Sequence, residues 1–214
     1  MTGEIDNQAS LSLPHWHGSQ RRIGITGGIA SGKSSIGQFL KEVKNLPILD
    51  ADIYAHEALA PGERSTMKVL KRYGNTVKDP IKKEKPTINR SALSNIIFTN
   101  SNERLWLEQL LHPIVKQRLE QDLYAQRNTP KIVLIIPLLF EVQLTELCSE
   151  IWVVHCTEAQ QYKRLMKRDG LTNSDAKARI KAQWPLKQKL PLADVIIDNS
   201  GEYQSWLKQV DNLC

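Results

Sequence analysis

A glycine-rich segment near the N-terminus has the residues and the spacing of a phosphate-binding loop. Residues 27–34 read GGIASGKS and fit the pattern G-x-x-x-x-G-K-[ST]. Glycines allow several backbone N–H groups to approach a phosphate chain, which bulkier side chains would keep away. In this pattern Lys33 meets the β- and γ-phosphates, and the hydroxyl of Ser34 is a ligand for Mg²⁺. The segment therefore predicts a site for a nucleotide and Mg²⁺.

Two carboxylates, Asp50 and Asp52, form a second candidate group. They follow a short predicted strand, and the carboxyl ends of parallel strands lie at the edge where open α/β sheets bind ligands. A carboxylate at that edge can accept the proton of an attacking hydroxyl or hold Mg²⁺ through water. Asp52 is also a suitable N-cap for a helix over residues 53–59. Both roles are compatible with the sequence.

Residues 161–170, QYKRLMKRDG, form a basic run that predicts a helix. The like-charged pairs four residues apart are Lys163 with Lys167 and Arg164 with Arg168. Such pairs are unfavourable unless an anion lies between them. Gly170 is expected to end this helix and Thr172 to begin another. Two basic helices joined by a short turn favour a lid, over residues 157–184, that closes on a triphosphate; a solvated basic surface is the alternative.

Strands and helices that alternate along the chain would carry these groups. Short apolar runs predict five strands, at residues 22–26, 47–49, 131–136, 151–154 and 195–197. An amphipathic helix that begins at about Lys33 is predicted by the spacing of Ile36, Phe39, Leu40 and Val43. This alternation predicts an α/β fold in which helices flank a parallel sheet of five strands.

Residues 54–127 are too many for a single crossover and predict a helical insertion beside the sheet. In its longest helical pattern, Pro113 is expected to cause a kink or to start a new helix after His112. The charged residues 78–85 are expected to form a loop. Residues 1–20 are polar and aperiodic, which predicts a flexible tail before one domain over residues 21–214.

The composition of the 214 residues excludes several classes of protein. No apolar stretch is close to the roughly 18 residues of a membrane helix, and the three cysteines form no CxxC pair. We therefore expect neither a transmembrane protein nor a disulfide scaffold, and the cysteine usage favours the cytoplasm. The net charge of +6 suits nucleic acid or a polyphosphate, but the aromatic residues, 6% of the chain, are not interleaved with the basic ones. We expect small-molecule substrates and no nucleic-acid partner, and no pattern specifies an oligomeric state.

Small-molecule kinases fit the phosphate-binding loop better than the other classes that share it. A GTPase would carry an N-K-x-D run, which is absent. An ATPase motor usually has an acid at the end of a buried strand, where this chain has Pro137. The helical insertion suits a site that encloses a second substrate. A nucleic-acid-binding protein with a vestigial loop is the alternative outside the kinases.

The ordered motifs resemble those of the dephospho-CoA kinases over nearly the whole chain from Arg22 onwards. The matching runs are ITGGIASGKSS at 25–35, LDAD at 49–52, LLHPIV at 110–115, PLLFE at 137–141, KRLMKRDGLT at 163–172, ARIKAQ at 178–183 and ADVIIDNSG at 193–201. The resemblance implies a P-loop kinase with a helical substrate-binding insertion and a lid. It also implies ATP-dependent phosphorylation of the ribose 3′-hydroxyl of dephospho-CoA, the last step of CoA biosynthesis. A nucleoside or nucleotide kinase of the same class is the alternative.

The resemblance further implies roles for individual residues. Asp52 would be the base for the ribose hydroxyl, and Lys33 and Arg168 would act as catalytic cations. The residues implied in ATP binding are Gly28, Ala30, Ser31, Gly32, Lys33, Ser34, Ser35, Arg164 and Asn199, with Ser34 also as the metal ligand. Many relatives have glycine where Ala30 stands, and we expect its small methyl group to be tolerated.

Overall fold

Five parallel strands form a single sheet in the computed structural model, which describes residues 13–80 and 86–214. The strands are β1 (Arg21–Gly27), β2 (Ile48–Asp50), β3 (Lys131–Ile135), β4 (Glu150–His155) and β5 (Val195–Asp198). Their order across the sheet is β2-β3-β1-β4-β5. Because the strands consist mainly of β-branched and other apolar residues, the sheet can be covered on both faces. This sheet confirms the predicted parallel α/β fold.

Helices connect the strands along the chain. The α-helices of the described residues are α1 (Lys33–Glu42), α2 (Ala51–Ala58), α3 (Arg64–Tyr73), α4 (Arg90–Thr99), α5 (Ser101–Ala125), α6 (Glu158–Asp169), α7 (Asn173–Lys181), α8 (Leu186–Lys189) and α9 (Leu207–Asp211). None of the helices in this part of the chain has the length and apolar character needed to cross a membrane.

Helix α1 begins at Lys33, as the sequence predicts, but it ends one residue before Val43. Val43 is 59% exposed, so it does not belong to the buried stripe. Ile36 and Leu40 are fully buried on the face that packs against the sheet. The predicted apolar stripe is therefore one helical turn shorter than expected.

The two faces of the sheet bury separate apolar clusters, because successive side chains of a strand point in opposite directions. On β3, Ile132 and Leu134 belong to the cluster that includes α5. Val133 and Ile135 belong to the cluster that includes α1. Burial of an aliphatic side chain contributes about 1.5–3 kcal/mol to stability. A strand turned over would exchange the side chains that face the two clusters, so the alternation determines which side of each strand faces which helices.

The insertion between β2 and β3 consists of α2 to α5 and has a small apolar cluster of its own. Helix α5 joins this cluster to the sheet: its Leu107 and Leu111 pack within the insertion, whereas Leu119 and Leu123 pack against the sheet. Helix α5 therefore fixes the position of the insertion beside the carboxyl edge of the sheet.

Of the predicted loop over residues 78–85, residues 81–85 lie outside the described part of the chain.

Helix α5 continues through Pro113 as one helix of 25 residues. The prediction of a new helix after His112 is therefore wrong. Proline inside a helix removes a backbone hydrogen bond and costs about 3 kcal/mol. Leu111 and Val115, on either side of Pro113, are both buried, and their packing offsets that cost.

Residues 13–20 contact the domain, although they belong to the predicted N-terminal tail. The backbone N–H of Trp16 donates to the carbonyl of Cys148 over 2.7 Å, and the indole ring stacks under the guanidinium of Arg22. The segment has no periodicity that would predict such contacts. The tail before Leu13 lies outside the described residues.

Candidate active site

The phosphate-binding loop connects β1 to α1 and adopts a backbone that requires glycine at its ends. Gly27 has φ of 146° and Gly32 has φ of 109°, both in the region that side chains strongly disfavour. A Cβ on Gly32 would also collide with the side-chain nitrogen of Asn199. Ala30 has φ of 58°, which is left-handed and costs an alanine about 1–2 kcal/mol. The loop accommodates alanine there, but glycine would adopt this conformation without that cost.

Two side-chain amides from other elements hold this loop in place. The Nδ2 of Asn199, after β5, donates to the carbonyl of Ser31 over 2.7 Å. The Nε2 of Gln161, on α6, donates to the carbonyl of Ile29 over 2.8 Å. Asn199 therefore contacts the phosphate-binding loop itself. The sequence gave no reason to select Gln161, because a single glutamine in a basic helix carries no local signal of burial.

The amino group of Lys33 lies inside the loop. Its Nζ donates to the carbonyls of Gly27 and Gly28 over 3.0 and 2.8 Å, and the side chain is buried. The pKa of Lys33 is lowered to about 8, mainly by burial and also by the cations of Lys189 and Arg168, against the opposing effect of Asp52. A phosphate group in the loop would supply the negative charge that this buried cation lacks.

Two buried polar atoms at the loop have no hydrogen-bond partner within the described residues. They are Oγ of Ser31 and Nη1 of Arg164. The other terminal nitrogen of Arg164 donates to the carbonyl of Asn199 over 3.0 Å, which places the guanidinium beside the loop. Buried polar atoms without partners are rare and point to a missing ligand or water. The site therefore fits a nucleotide whose phosphates provide acceptors.

The first turn of α1 completes the anion site. Ser34 and Ser35 are both exposed there, at the N-terminus of a helix of ten residues. The free N–H groups and the positive end of the helix dipole favour phosphate at such a terminus. Among the described residues there is no cluster of three side chains that could hold a metal ion. A Mg²⁺ ion here would be held mainly by Ser34, by phosphate oxygens and by water.

Asp50 and Asp52 have different roles in the structure. The Oδ1 of Asp50 accepts the backbone N–H of Asp52 over 2.8 Å, and α2 begins between them at Ala51. The expectation that Asp52 caps a helix over residues 53–59 is therefore wrong: Asp50 is the cap, because it occupies the last extended position before the helix. The carboxylate of Asp52 is left without a capping role.

Asp52 lies where the nucleotide loop and a second cleft meet. Its side chain lines the cleft, where loss of hydration raises the pKa of its carboxyl, and the neighbouring charge of Asp50 raises it further. Lys33 and Arg168 act in the opposite direction, so both cations lie within electrostatic range of Asp52. The structure thus brings together the three residues that the sequence predicts to be catalytic.

Helices α6 and α7 form the pair that the sequence predicts as a lid. Gly170, with φ of 64°, ends α6, and the hydroxyl of Thr172 caps α7. Arg168 does not face a bare like charge, because its Nε donates to Asp169 over 2.7 Å. Arg164 is bound to a backbone carbonyl near the loop. These partners of Arg164 and Arg168 therefore reduce the repulsion expected between the two arginines.

The cleft beside Asp52 has a volume of about 520 Å³ and lies between α2, α4, α5, α7 and the segment after β3. Its walls are mostly apolar. The polar side chains that line it besides Asp52 are Arg104, Glu108, His112, Lys116, Arg179 and Gln183. Burial lowers the pKa of His112, which favours its neutral form. A cleft of this size with a few polar groups is typical of a site for a small-molecule substrate.

A buried ion pair lies next to Pro137 of the cleft wall, and no local sequence pattern predicts it. The Nζ of Lys189, which is 0% exposed, lies 2.8 Å from Oε1 of Glu141 and donates to the carbonyl of Pro137 over 2.9 Å. The same Oε1 accepts the backbone N–H of Trp184, the last residue of the predicted lid. The pair joins the end of β3 to the chain that leaves α7.

We expect Glu141→Gln to lower the free energy of unfolding by about 3 kcal/mol, because a buried cation without its partner is costly. Unfolding in urea would measure the loss. The double variant Glu141→Leu/Lys189→Met removes both charges and should recover most of the stability. If Glu141→Gln unfolds like the original chain, the buried cation of Lys189 does not depend on the charge of Glu141.

The strand order, with a phosphate-binding loop after the central strand and a separate cleft beside it, is the architecture of the P-loop kinases. The chain therefore has a P-loop kinase fold. The model of the dephospho-CoA kinase family matches residues 21–205. The chain belongs to the dephospho-CoA kinase family.

Individual relatives agree with this assignment. A dephospho-CoA kinase of Prochlorococcus marinus (strain MIT 9313) is 55% identical over 199 residues, which cover 93% of this chain and 98% of the relative. A dephospho-CoA kinase of Synechococcus sp. (strain CC9605) is 53% identical over 91% of this chain and 92% of its own. Among solved structures, TT1252 of Thermus thermophilus has a TM-score of 0.73 and 27% identity over 92% of this chain and 97% of its own. The dephospho-CoA kinase of Campylobacter jejuni has a TM-score of 0.62 and 25% identity over 90% and 94% of the two chains.

Proposed function

We propose that this chain transfers the γ-phosphoryl group of ATP to the ribose 3′-hydroxyl of dephospho-CoA, which yields CoA and ADP. The observation that carries the proposal is the position of Asp52. Its carboxylate lines the second cleft and lies within electrostatic range of Lys33 in the phosphate-binding loop. A hydroxyl held in the cleft and a phosphate held in the loop would therefore meet at this carboxylate.

The loop would bind the phosphates of ATP through its backbone N–H groups, with Gly28, Ala30, Ser31 and Gly32 forming the turn. Lys33 would exchange the carbonyls of Gly27 and Gly28 for phosphate oxygens. Ser34 would hold Mg²⁺, with Ser35 beside it in the first turn of α1. When bound, Mg²⁺ neutralises negative charge on the phosphate oxygens. Arg164 and Asn199 would complete the nucleotide site from the opposite side of the loop.

Asp52 would orient the acceptor hydroxyl and accept its proton. Phosphoryl transfer has a loose transition state, so much of this contribution would come from orientation. Arg168 reaches the site from α6 and would stabilise the negative charge on the transferred group when the lid closes. Its guanidinium is bound to Asp169 and lies within electrostatic range of Asp52.

The same proposal places the protein in the cytoplasm, with ATP and dephospho-CoA as small-molecule substrates and no nucleic-acid partner. It rests on the family and on the cysteine and aromatic content of the chain. The last step of CoA biosynthesis would be its place in metabolism.

An acceptor panel tests the proposed reaction. With ATP and Mg²⁺, we expect kcat/KM for dephospho-CoA to exceed that for adenosine or a nucleoside monophosphate by at least about a hundredfold, a ratio that buried polar contacts to a substrate can supply. ADP formation, measured with each acceptor at equal concentration, gives the comparison. Chelation of Mg²⁺ should abolish turnover. Faster phosphorylation of a plain nucleoside or nucleotide would assign the chain to that kind of kinase instead.

A further inference from the structure

The cations that line the cleft beside Asp52 differ in the carboxylates that pair with them. Among the described residues, the cationic side chains that line the cleft are Arg104, Lys116 and Arg179. His112 also lines it, but burial lowers the pKa of His112 and favours its neutral form. Arg104 lies 3.8 Å from Glu108, which also lines the cleft. Lys116 lies 3.0 Å from Glu146 and 3.9 Å from Glu120. Each of these two cations thus has at least one carboxylate of its own.

Arg179 has to share its carboxylate. Its Nη1 donates to Oδ2 of Asp169 over 2.9 Å. Arg168 binds the same carboxylate through two nitrogens, at 2.7 and 3.1 Å. One carboxylate therefore accepts hydrogen bonds from both arginines, and Asp52 also lies within electrostatic range of Arg168. Arg179 consequently has no carboxylate of its own among the described residues. An anion that enters the cleft would therefore pair with Arg179.

The guanidinium of Arg179 is also held in a fixed position, and some of its nitrogens remain available to a ligand. Its guanidinium carbon lies 4.9 Å from the ring centre of Phe98, on α4, and the side chain is 19% exposed. Phe98 lines the cleft as well. Besides the bond to Asp169, no hydrogen bond of this guanidinium occurs among the described residues. Stacking on an aromatic ring fixes the plane of an arginine and leaves its edge for a ligand.

We propose that Arg179 recognises an anionic phosphate or diphosphate group of the acceptor and so makes the cleft specific for a phosphorylated acceptor over a neutral nucleoside. This inference rests on the proposed function, in which dephospho-CoA carries such a diphosphate. Arg179 comes from α7 and stacks on α4, so the contact also joins the lid to the insertion. The acceptor would therefore be held by both elements at once.

The variant Arg179→Gln, made in the full chain, tests this role. We expect KM for dephospho-CoA to rise about tenfold or more, as for a lost charge-assisted contact, with KM for ATP changed less than about twofold. The kcat/KM for adenosine, which has no phosphate, should change little, so the preference for dephospho-CoA falls. Arg179→Lys keeps the charge without the planar fork and should recover part of the affinity. Calorimetric titration of dephospho-CoA without ATP measures the same contact apart from turnover.

Lys181→Ala is the matched control, because Lys181 is exposed on the same helix and does not line the cleft. It should leave both KM values unchanged. The inference is wrong if Arg179→Gln binds dephospho-CoA as tightly as the original chain does. It is also wrong if the KM for ATP rises instead. The same holds if kcat/KM for adenosine falls by the same factor as kcat/KM for dephospho-CoA.

The two proposals fail in different ways. If the original chain binds dephospho-CoA and does not phosphorylate it, the proposed function fails while the calorimetric comparison still decides the role of Arg179. If the original chain does not bind dephospho-CoA, both are wrong. If the original chain turns dephospho-CoA over and Arg179→Gln shows no change, only the role of Arg179 is wrong. If Arg179→Gln has a lowered melting temperature, the affinity of Arg179→Lys for dephospho-CoA is compared with that of the original chain instead. Unchanged affinity for adenosine would show that the cleft is intact in that variant.

Discussion

Replacement of Lys33 by methionine should lower kcat by at least about a thousandfold, because positioned charges of this kind supply a large part of catalysis in phosphoryl transfer. Lys33 is the buried cation of the phosphate-binding loop, and its charge has no substitute at that place. Methionine keeps the length and the apolar part of the side chain. The loss should therefore appear in turnover at saturating ATP, and not only in ATP affinity.

The same replacement should not destabilise the protein. Burial lowers the pKa of Lys33 from 10.5 to about 8, so the folded chain holds the charged lysine at a cost of about 3 kcal/mol at pH 7. This cost is present below about pH 8 and declines as the pH rises above it, because the lysine then loses its proton in the folded chain. The two hydrogen bonds to loop carbonyls contribute about 1 kcal/mol each. The melting temperature of Lys33→Met should consequently be equal or higher.

Single-turnover kinetics and thermal unfolding at pH 7 measure the two effects. A control is provided by Lys41→Met, an exposed lysine in the last turn of α1, which should leave both quantities unchanged. Normal kcat in Lys33→Met at saturating ATP would contradict a catalytic role. A large drop in melting temperature would mean that Lys33 is required mainly to hold the loop.

Replacement of Asp52 by asparagine should lower kcat by at least about a hundredfold, which is the lower range for loss of a general base. Asparagine has nearly the same size but no negative charge, so it can neither accept the proton nor orient the hydroxyl as strongly. Asp52 makes no capping bond, so the melting temperature should stay within a few degrees of the original. Affinity for ATP should also persist. Steady-state kinetics with dephospho-CoA and thermal unfolding provide the measurements.

Asp50→Asn is the matched control, because asparagine caps a helix as well as aspartate does. It should retain stability and most of the turnover. It should also move the acid limb of the kcat profile to lower pH. The charge of Asp50 raises the pKa of Asp52, and its removal makes the Asp52 carboxylate easier to form. Equal loss of kcat in both variants would show that the charge of the whole group matters, and not the base at Asp52.

Residues close together in the sequence carried most of what could be predicted about the fold and the site. The loop over residues 27–34 is recognisable because its glycines, lysine and serine act through one turn of backbone. The five strands follow from short apolar runs, and the end of α6 follows from Gly170. In each case the physical cause lies within a few neighbouring residues, so a local pattern records it.

Tertiary packing decided the features that local patterns describe poorly. Helix α5 continues through Pro113 because buried leucine and valine on either side hold it against two clusters. Asp50, and not Asp52, caps α2, because the exact strand end determines which carboxylate meets the free N–H group. Short-range propensities alone do not resolve a shift of one or two residues.

Partners distant in the sequence set the remaining character of the site. Gln161 binds the loop from 132 residues away, and Lys189 bonds to Pro137 across 52 residues. Arg179 lines the cleft only because α7 packs against α4. No spacing rule connects such residues, since their contacts exist only after the chain has folded. The sequence by itself therefore determined the class of chemistry, and the tertiary structure decided which charges are buried, paired or left free to meet the substrates.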